Sequence, residues 1–373
     1  GRPGHGGSVR RAGAAVLAAL PAARLTALSA ALLIVLLTVT AGCGGTDPDT
    51  TRLRITALSP PGTPWHEGWL RFEERFRARN DTDLELDMFV TGQLGSEETM
   101  LSSLRRGRVQ IGGFSLQGLA VVVPELNVLL APYLFDSVEQ IDFVIDNHLT
   151  PAFRELFAAK DMELLQWAEV GWTHIYGLTP IVAPEDAGDR PMRASNAIGS
   201  QVFTEAIGAD STPVTFSEVI PSLQTGLIEA GQTGTGMYAI AGISREAKHF
   251  TLTYHAFDTG LIVANRSWYQ ALSPRKQRLI MDSLDPLQYS RDEIRRVLAD
   301  FLEQQLPAQS VTIHRLDEDQ RRRWRDALAG THEILLERID GRAREIYRLV
   351  QNGKREWARL QETRAERRAD TND

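Results

Sequence analysis

The sequence predicts an α/β fold of two lobes, each with a mostly parallel sheet covered by helices. Residues 52–115 alternate between strand and helix patterns, and a second alternating set begins near residue 162. Such alternation is typical of parallel sheets, because a parallel pair of strands needs a crossover that is usually a helix. Residues 249–265 are an almost continuous β-type run, too long for one ordinary strand. We therefore expect extended strands that join the two lobes.

The first alternating set contains three strands and two helices. "LRITALS", "LELDMFV" and "VQIGGFS" have the apolar patterns of strands. The first helix follows the turn "PPGTP", and its helical spacing places Trp65 and Trp69 on the same side as two phenylalanines. A second helix begins at the cap Ser96, where Glu97 and Glu98 suit the positive end of the helix.

The second alternating set continues the same pattern. "DRPMRAS" is a short strand, and the helix that follows it ends at Gly208. Thr215 and Glu218 have the spacing of a capping box, and Gly226 is a plausible C-cap for that helix. A further helix begins at Ser273, and "SVTIHRL" is predicted as the last strand.

These elements suggest limits for the lobes. We expect lobe 1 to comprise residues 52–170 plus 259–298, and lobe 2 to comprise residues 171–258 plus 299–352. Residues 353–373 are predicted as a charged C-terminal helical tail. Parallel α/β sheets place ligands beyond the carboxyl ends of their strands, so two facing lobes would enclose a cleft that closes by a hinge motion.

The N-terminal region has the pattern of a secretory signal. In residues 1–42, Arg24 precedes an apolar run at 27–39 that is short for a membrane span. The small residues before Cys43 resemble a bacterial lipobox, which implies cleavage there, a lipid on the cysteine sulfur and a tether at 43–51. The alternative is a buried free thiol beside an uncleaved anchor. We therefore predict a lipid-anchored protein of the periplasm or outer face of the cell envelope.

Composition and motifs argue against several functions. A formal net charge of −7 is unsuited to nucleic acid, whose phosphates attract basic surfaces. "GGFSLQG" is not a nucleophile elbow, because Gln117 stands where glycine is required. No metal-ligand spacing and no dinucleotide motif are present. Paired acids such as Glu97 and Glu98 are interpreted as charges at helix starts. We therefore expect a binding protein without cofactor or metal, not an enzyme.

Four motifs carry a resemblance to a known family. "TGQLG", "APYLFDS", "PMRAS" and "PSLQTGLIEA" occur in order, and over residues 52–345 the chain resembles the substrate-binding proteins of TRAP (tripartite ATP-independent periplasmic) transporters. The resemblance implies a periplasmic-binding-protein-like fold: two α/β lobes joined by extended hinge strands with a cleft between them. It also implies a small organic carboxylate as ligand and the integral membrane subunits of a permease as partners.

Within "PMRAS", Arg193 matches the family's signature arginine, which pairs with the ligand carboxylate. A guanidinium offers a rigid fork that meets a carboxylate through two charge-assisted hydrogen bonds. The alternative is an arginine on a solvated strand edge or in a structural ion pair.

The resemblance also implies other ligand-binding positions. The family's second arginine falls on Thr173 and a frequent asparagine falls on Thr233, which favours a mono-carboxylate with a less polar body. The remaining candidates are Asn196 and His255 at cleft-lining positions, Phe216 as a flanking aromatic, and the nearby tryptophans Trp65 and Trp172.

Other functions fit the same pattern. A sensory lipoprotein could present a ligand to a receptor, and a periplasmic enzyme could use the same lobes. A structural envelope lipoprotein would have neither a cleft nor a saturable ligand.

Overall fold

The computed structural model describes residues 50–371, with side chains described to residue 368. The predicted signal peptide at residues 1–42 and the predicted lipidation site Cys43 lie outside the described residues. The strands are β1 Arg52–Ala57, β2 Glu85–Phe89, β3 Ile111–Ser115, β4 Met162–Gly177, β5 Pro191–Ala194, β6 Asp210–Pro213, β7 Ala230–Gly234, β8 His249–Asn265 and β9 Thr312–Arg315.

Helices connect and cover these strands. The α-helices are α1 Pro64–Arg79, α2 Glu97–Arg105, α3 Leu116–Leu119, α4 Val138–Val144, α5 Thr150–Ala158, α6 Ile198–Ala206, α7 Val219–Thr225, α8 Thr235–Ile240, α9 Ile243–Glu246, α10 Arg266–Ala271, α11 Pro274–Ser283, α12 Leu287–Asp300, α13 Leu306–Ala308, α14 Glu318–Ala327, α15 Thr331–Arg338 and α16 Ala343–Thr371. Shorter 3-10 turns include Pro124–Leu130 and Phe216–Glu218, and π-helical segments occupy Ile145–Leu149 and Phe301–Gln305. None of the helices in residues 50–371 combines the length and apolar character of a membrane span.

One hydrogen-bonded sheet runs through the fold in the order β2-β1-β3-β8-β4-β7-β5-β6, with β9 paired to β8. Strands β1, β2 and β3 are parallel, as are β5, β6 and β7. We call the part of the sheet with β1–β3 the first half and the part with β5–β7 the second half. Each half is the parallel α/β unit that the alternation predicted.

The long strands β4 and β8 belong to both halves. They pair antiparallel along most of their length, and the start of β4 lies in the first half while its end pairs with β7 in the second. The bounds of β8, His249–Asn265, match the predicted β-type run. The pairing is irregular between Glu169 and Gly171, where Gly171 has a left-handed φ of 104°. This irregularity falls where the limit between the lobes was predicted, and the limits themselves stay a prediction.

Several local signals act as the sequence indicates. Ser96 accepts a hydrogen bond from the Thr99 backbone and so caps α2. Thr215 and Glu218 form the capping box, and Gly226 ends α7 with a left-handed φ of 73°. Side chains satisfy backbone groups that a helix end leaves unpaired, so a short sequence pattern was enough to place these ends.

The apolar core is divided between the halves. Leu53 and Ile55 of β1 pack with Phe72 of α1 in the first half, and Tyr238 and Phe250 stack in the second at 4.1 Å between ring centroids. Each half therefore has its own packed interior, which a hinged protein requires.

The last helix, α16, returns to the first half, and α15 also contacts α6 of the second half. Leu335 of α15 and Ile346 and Val350 of α16 share a core with Phe153 and Leu149. The apolar 3-10 segment Pro124–Leu130 is thus covered by helices from the far end of the chain. The rest of α16 is mostly exposed, and it contains the predicted charged tail.

Candidate functional site

A cleft opens where strands of both halves end. Ser59 follows β1 and Phe114 lies at the end of β3, whereas Ser195 follows β5 and Thr233 lies at the end of β7. Parallel strands of α/β sheets bring their carboxyl ends, and the loops that follow them, to one edge. The cleft therefore lies where the two-lobe fold was expected to place a ligand.

Arg193 is the basic side chain of this cleft. It lies on β5 between Thr212 of β6 and Gly231 of β7, and it is only 5% exposed. Its Nε donates to the Val214 carbonyl over 3.0 Å, which is the one hydrogen bond that residues 50–368 give the side chain. The guanidinium carbon lies 5.8 Å from the Phe216 ring centroid. The two Nη groups are therefore not engaged by an internal carboxylate.

Burial lowers the pKa of Arg193 from its ordinary value, and nearby anionic groups, with Glu97 and Asp258 among them, act in the opposite direction. An arginine remains protonated at any physiological pH. The guanidinium is buried, and no described carboxylate forms an ion pair with it. It is therefore a favourable partner for a ligand anion.

Close packing of small and large side chains positions Arg193. A Cβ on Gly231 would lie 2.1 Å from the Tyr176 hydroxyl oxygen and 3.0 Å from the Cβ of Arg193. The strand next to Arg193 therefore needs glycine at this position. Burial raises the pKa of Tyr176 to about 12, so its hydroxyl is neutral where it lies beside β7.

Two acidic side chains lie near Arg193 in the cleft. Glu97 accepts hydrogen bonds from the backbone and the hydroxyl of Ser115, both at 2.7 Å. Asp258 is 5% exposed, and its Oδ2 accepts from Gln117 Nε2 over 2.8 Å. Burial raises the pKa of Glu97, and it raises the pKa of Asp258 to about 7. The cleft is thus bipolar, with one arginine facing carboxyl groups.

Trp65 contacts both halves of the fold. It lines the cleft from the start of α1, and its indole Nε1 donates to the Glu169 carbonyl over 2.7 Å. On its other side lies Gly236 of α8, where an added Cβ would be 2.6 Å from the Trp65 ring. Trp65 is therefore a wall of the cleft that touches the irregular part of β4 and the second half.

Of the residues predicted to bind ligand, five line the cleft: Trp65, Arg193, Asn196, Phe216 and Thr233. Asn196 is exposed, and its Nδ2 donates to Glu98 Oε1 over 3.3 Å. Arginine, asparagine and threonine offer hydrogen-bond donors, and Phe216 adds an aromatic face beside the guanidinium.

The other three predicted residues lie outside this cleft. His255 is fully buried, stacks on Phe203 at 3.8 Å and bonds to Thr253 and Gln232, so it is a core histidine. Burial lowers its pKa well below the ordinary value, which keeps the ring neutral.

Trp172 and Thr173 follow the irregularity in β4. Trp172 packs edge-on against Phe257 at 5.1 Å, and Thr173 is 1% exposed between β7 and β8. The extra residue between Glu169 and Gly171 turns Trp172 to the face opposite Ala168, which explains why Trp172 does not line the cleft although Ala168 and Val170 do. Thr173 returns to the face of Ala168 but is enclosed between its neighbours in β7 and β8.

Sequence reasoning missed three polar residues of the site. The sequence pattern indicates only a helix-start charge at Glu97, and Gln117 serves there only as evidence against a nucleophile elbow. Asp258 is the single acid within the apolar run of β8. An isolated carboxylate in a buried strand is costly without a partner, and that was the available signal.

The sequence is similar to a known protein family and to periplasmic proteins of other bacteria. Residues 56–338 match the family described as "Bacterial extracellular solute-binding protein, family 7". The ectoine-binding periplasmic protein TeaA of Halomonas elongata is 23% identical over 283 residues, which are 74% of this chain and 83% of TeaA. The C4-dicarboxylate-binding periplasmic protein DctP of Rhodobacter capsulatus is 23% identical over 290 residues, 77% of this chain and 87% of that protein.

A solved structure has a similar fold. The TRAP periplasmic solute-binding protein of Roseobacter denitrificans with bound β-D-glucuronate superposes with a TM-score of 0.75 at 24% identity, covering 80% of this chain and 99% of that one. The similarity supports the two-lobe α/β architecture described above.

Proposed function

Because this chain belongs to the bacterial extracellular solute-binding proteins of family 7, we propose that it binds a small organic carboxylate in the cleft and delivers it to a TRAP-type permease. The family match agrees with the TRAP resemblance of the sequence motifs. Its named relatives are periplasmic binding proteins, and a periplasmic receptor is the corresponding role here.

The position of Arg193 is the main support for this proposal. It is buried at the ends of parallel strands, lines the cleft and makes no ion pair with the described carboxylates. A carboxylate ligand would supply the oxygen acceptors that its Nη groups need. The guanidinium fork also orients the ligand between Phe216 and the loop at Asn196.

The chemistry of the ligand follows from what surrounds Arg193. Thr173, the counterpart of the family's second arginine, is neutral, and Arg193 is the only basic side chain among the described residues that line the cleft. A second carboxylate on the ligand would meet Glu97 and Asp258 without a cation of its own. We therefore infer a ligand with one carboxylate and a body that contacts Trp65 and Phe216.

Two further parts of the proposal concern the membrane. We propose that Cys43 carries the lipid anchor after removal of residues 1–42, and that integral membrane subunits accept the ligand. Labelling with a palmitate analogue tests the anchor: wild type should incorporate the label and Cys43→Ala should not.

The central experiment compares two substitutions of arginine. Thermal-shift and calorimetric screening of carboxylates identifies a probe for the wild-type protein, and ligand at 100 times its Kd stabilises a protein by about 2.7 kcal/mol. Arg193→Ala should remove this stabilisation while the unliganded protein stays folded. Arg193→Lys keeps the charge but loses the fork, so we expect affinity to fall ~10- to 100-fold.

Arg245→Ala is the matched control, because Arg245 is an exposed arginine of the second half that is not part of the cleft wall. It should bind the probe as the wild type does. If Arg193→Ala retained wild-type affinity, the proposed function of this cleft would be overturned. Recovery of chemically altered probe after incubation would instead favour an enzyme on the same fold.

A further inference from the structure

We propose that the ligand is a zwitterion, whose carboxylate pairs with Arg193 and whose protonated nitrogen donates a hydrogen bond to Asp258. This inference rests on the proposed function, because it specifies which class of carboxylate the same cleft takes. It concerns amino acids, cyclic amidines and related solutes rather than simple hydroxy or dicarboxylic acids.

The cleft wall is acidic. Among its described residues, Glu97, Glu98, Asp258 and Asp285 are acids, and Arg193 is the one base. A ligand with only negative charge would be attracted by Arg193 and repelled by the acids. A ligand that carries both charges can match both poles of the site, which lowers the electrostatic cost of enclosing it.

Two of these acids already have partners within the protein. Asp285 forms ion pairs with Arg71 and Arg75, the former at 2.7 Å between Arg71 Nη2 and Asp285 Oδ2. Glu97 accepts two hydrogen bonds from Ser115 at 2.7 Å. Neither carboxylate needs a ligand group.

Glu98 and Asp258 remain, and they differ in burial. Glu98 is exposed and accepts from the Asn196 amide, so water screens its charge. Asp258 is 5% exposed, and its Oδ1 has no hydrogen-bond partner among the described residues. A buried carboxylate oxygen without a partner is unfavourable, and a positively charged N–H donor would satisfy it.

Gln117 fixes the direction of the Asp258 carboxylate. Its Nε2 donates to Asp258 Oδ2 over 2.8 Å, which leaves Oδ1 as the acceptor for a ligand. Gln117 Oε1 is also buried without a partner among the described residues, and Gln117 lines the same cleft, so a ligand nitrogen with a second hydrogen has a second acceptor available. Two adjacent acceptors suit an ammonium or amidinium group.

A ligand hydroxyl is the chemical alternative. Burial raises the pKa of Asp258 to about 7, so near neutral pH the group can be a carboxylic acid that bonds to a neutral hydroxyl. A ligand nitrogen and a ligand hydroxyl depend differently on the charge of Asp258. A cationic nitrogen needs the carboxylate form of Asp258, whereas a hydroxyl bonds to either form and also to an amide.

The experiment uses pairs of carboxylates that match in shape and differ at one atom. Suitable pairs are proline and tetrahydrofuran-2-carboxylate, pipecolate and tetrahydropyran-2-carboxylate, and 4-aminobutyrate and 4-hydroxybutyrate, with ectoine as an amidine. Binding to the full mature protein is measured by calorimetry at pH 8. We expect a nitrogen-containing probe to bind at least ~10-fold more tightly than its oxygen counterpart.

Asp258→Asn then tests the residue. It keeps the size of the side chain and removes the charge, so the best zwitterionic probe should lose ~10- to 100-fold in affinity. Glu229→Gln is the matched control, since Glu229 is an exposed acid of the second half outside the cleft wall. A folding control is needed for Asp258→Asn. The variant is folded if it still binds an oxygen-containing probe or if its far-UV circular dichroism spectrum matches that of the wild type.

The outcomes separate this inference from the proposed function. Oxygen-containing or dicarboxylate probes could bind as tightly as the zwitterions while Arg193→Ala still abolishes binding. This result would overturn the inference that the ligand is a zwitterion and would leave the proposed carboxylate receptor intact. Equal affinity of wild type and Asp258→Asn for the zwitterions overturns the role of Asp258. Failure of every carboxylate to bind, with none co-purifying by mass spectrometry, overturns the proposed function and this inference together.

Discussion

Asn196 and Glu98 join the two halves of the fold at the cleft, where the Asn196 Nδ2 donates to Glu98 Oε1 over 3.3 Å. Both side chains are exposed, and one follows β5 while the other lies in the first turn of α2. A contact between halves that forms at the mouth of a cleft favours the closed arrangement over an open one.

Asn196→Ala should weaken ligand binding by about 2- to 10-fold, because a hydrogen bond of this type contributes roughly 0.5–1.5 kcal/mol and is lost on opening. Calorimetry with the best carboxylate probe measures the change. Glu98→Gln keeps an acceptor oxygen and should change affinity less. A larger loss in Glu98→Gln than in Asn196→Ala would show that the charge of Glu98, not this bond, matters.

Gly236→Ala should also impair closure. The added Cβ would lie 2.6 Å from the Trp65 ring and 3.1 Å from Leu298, and Trp65 is held by its bond to the Glu169 carbonyl. Contacts under 3 Å force one group to move, so the ligand affinity should fall and the liganded protein should have a larger radius of gyration in small-angle scattering.

A double mutant separates this clash from other effects of the alanine. Trp65→Phe combined with Gly236→Ala relieves the contact, so the two changes together should cost less affinity than the sum of the single changes. Strict additivity would contradict the predicted contact between Trp65 and residue 236.

The pH dependence of stability should contain a contribution from Asp258. Burial raises its folded-state pKa to about 7, and of two nearby groups Glu97 raises this pKa further while Arg193 lowers it. The unfolded value is ~3.9, so the folded state binds more protons between about pH 4 and pH 7. The free energy of unfolding therefore falls as the pH rises through this window and is lowest, for this group, above pH 7.

Urea unfolding of wild type and Asp258→Asn at pH 5 and pH 8 isolates the effect. Relative to the variant, the unliganded wild type should lose roughly 2–3 kcal/mol between these two pH values. Other titrating groups cancel in the difference. An unchanged difference at both pH values would mean that the pKa of Asp258 is close to its unfolded value.

Arg295→Met should destabilise the protein. Arg295 pairs with Glu169 at 2.6 Å and with Asp142 at 2.8 Å, and Glu169 is 3% exposed at the irregularity of β4. Burial raises the pKa of Glu169, and the hydrogen bond from Arg295 lowers it. Removing one partner of a buried pair leaves an uncompensated charge, which costs ~3–5 kcal/mol in urea unfolding at pH 7.

Glu169→Gln in the Arg295→Met background provides the check, because it removes the unpaired charge. The double mutant should recover part of the lost stability. If the double mutant were less stable than Arg295→Met, the hydrogen bonds of Glu169 rather than its charge would dominate.

Much of the fold could be predicted from sequence because local signals specify local structure. The caps at Ser96, Thr215 and Gly226 act through bonds within a few residues, and the apolar run of β8 has the same bounds in the structure. The position of Arg193 at a strand end also follows from the pattern of "PMRAS" and the family resemblance.

The faces of the long strands could not be predicted in the same way. Alternation with a period of two assigns side chains to faces only while the pairing is regular. The irregularity between Glu169 and Gly171 ends that rule and turns Trp172 away from the cleft face, while Thr173 is enclosed between β7 and β8. His255 belongs to the core for a different reason, because Phe203 and Gln232 from distant segments enclose it.

By itself, the sequence determined the α/β class, several helix ends, the long strand at 249–265 and an arginine at a strand end. The tertiary structure alone decided that Asp258 and Gln117 line the same cleft as this arginine and that α16 packs on the core of the first half. The physical reason is range: propensity and capping act over a few residues, whereas a binding site depends on contacts between segments as far apart as residues 117 and 258.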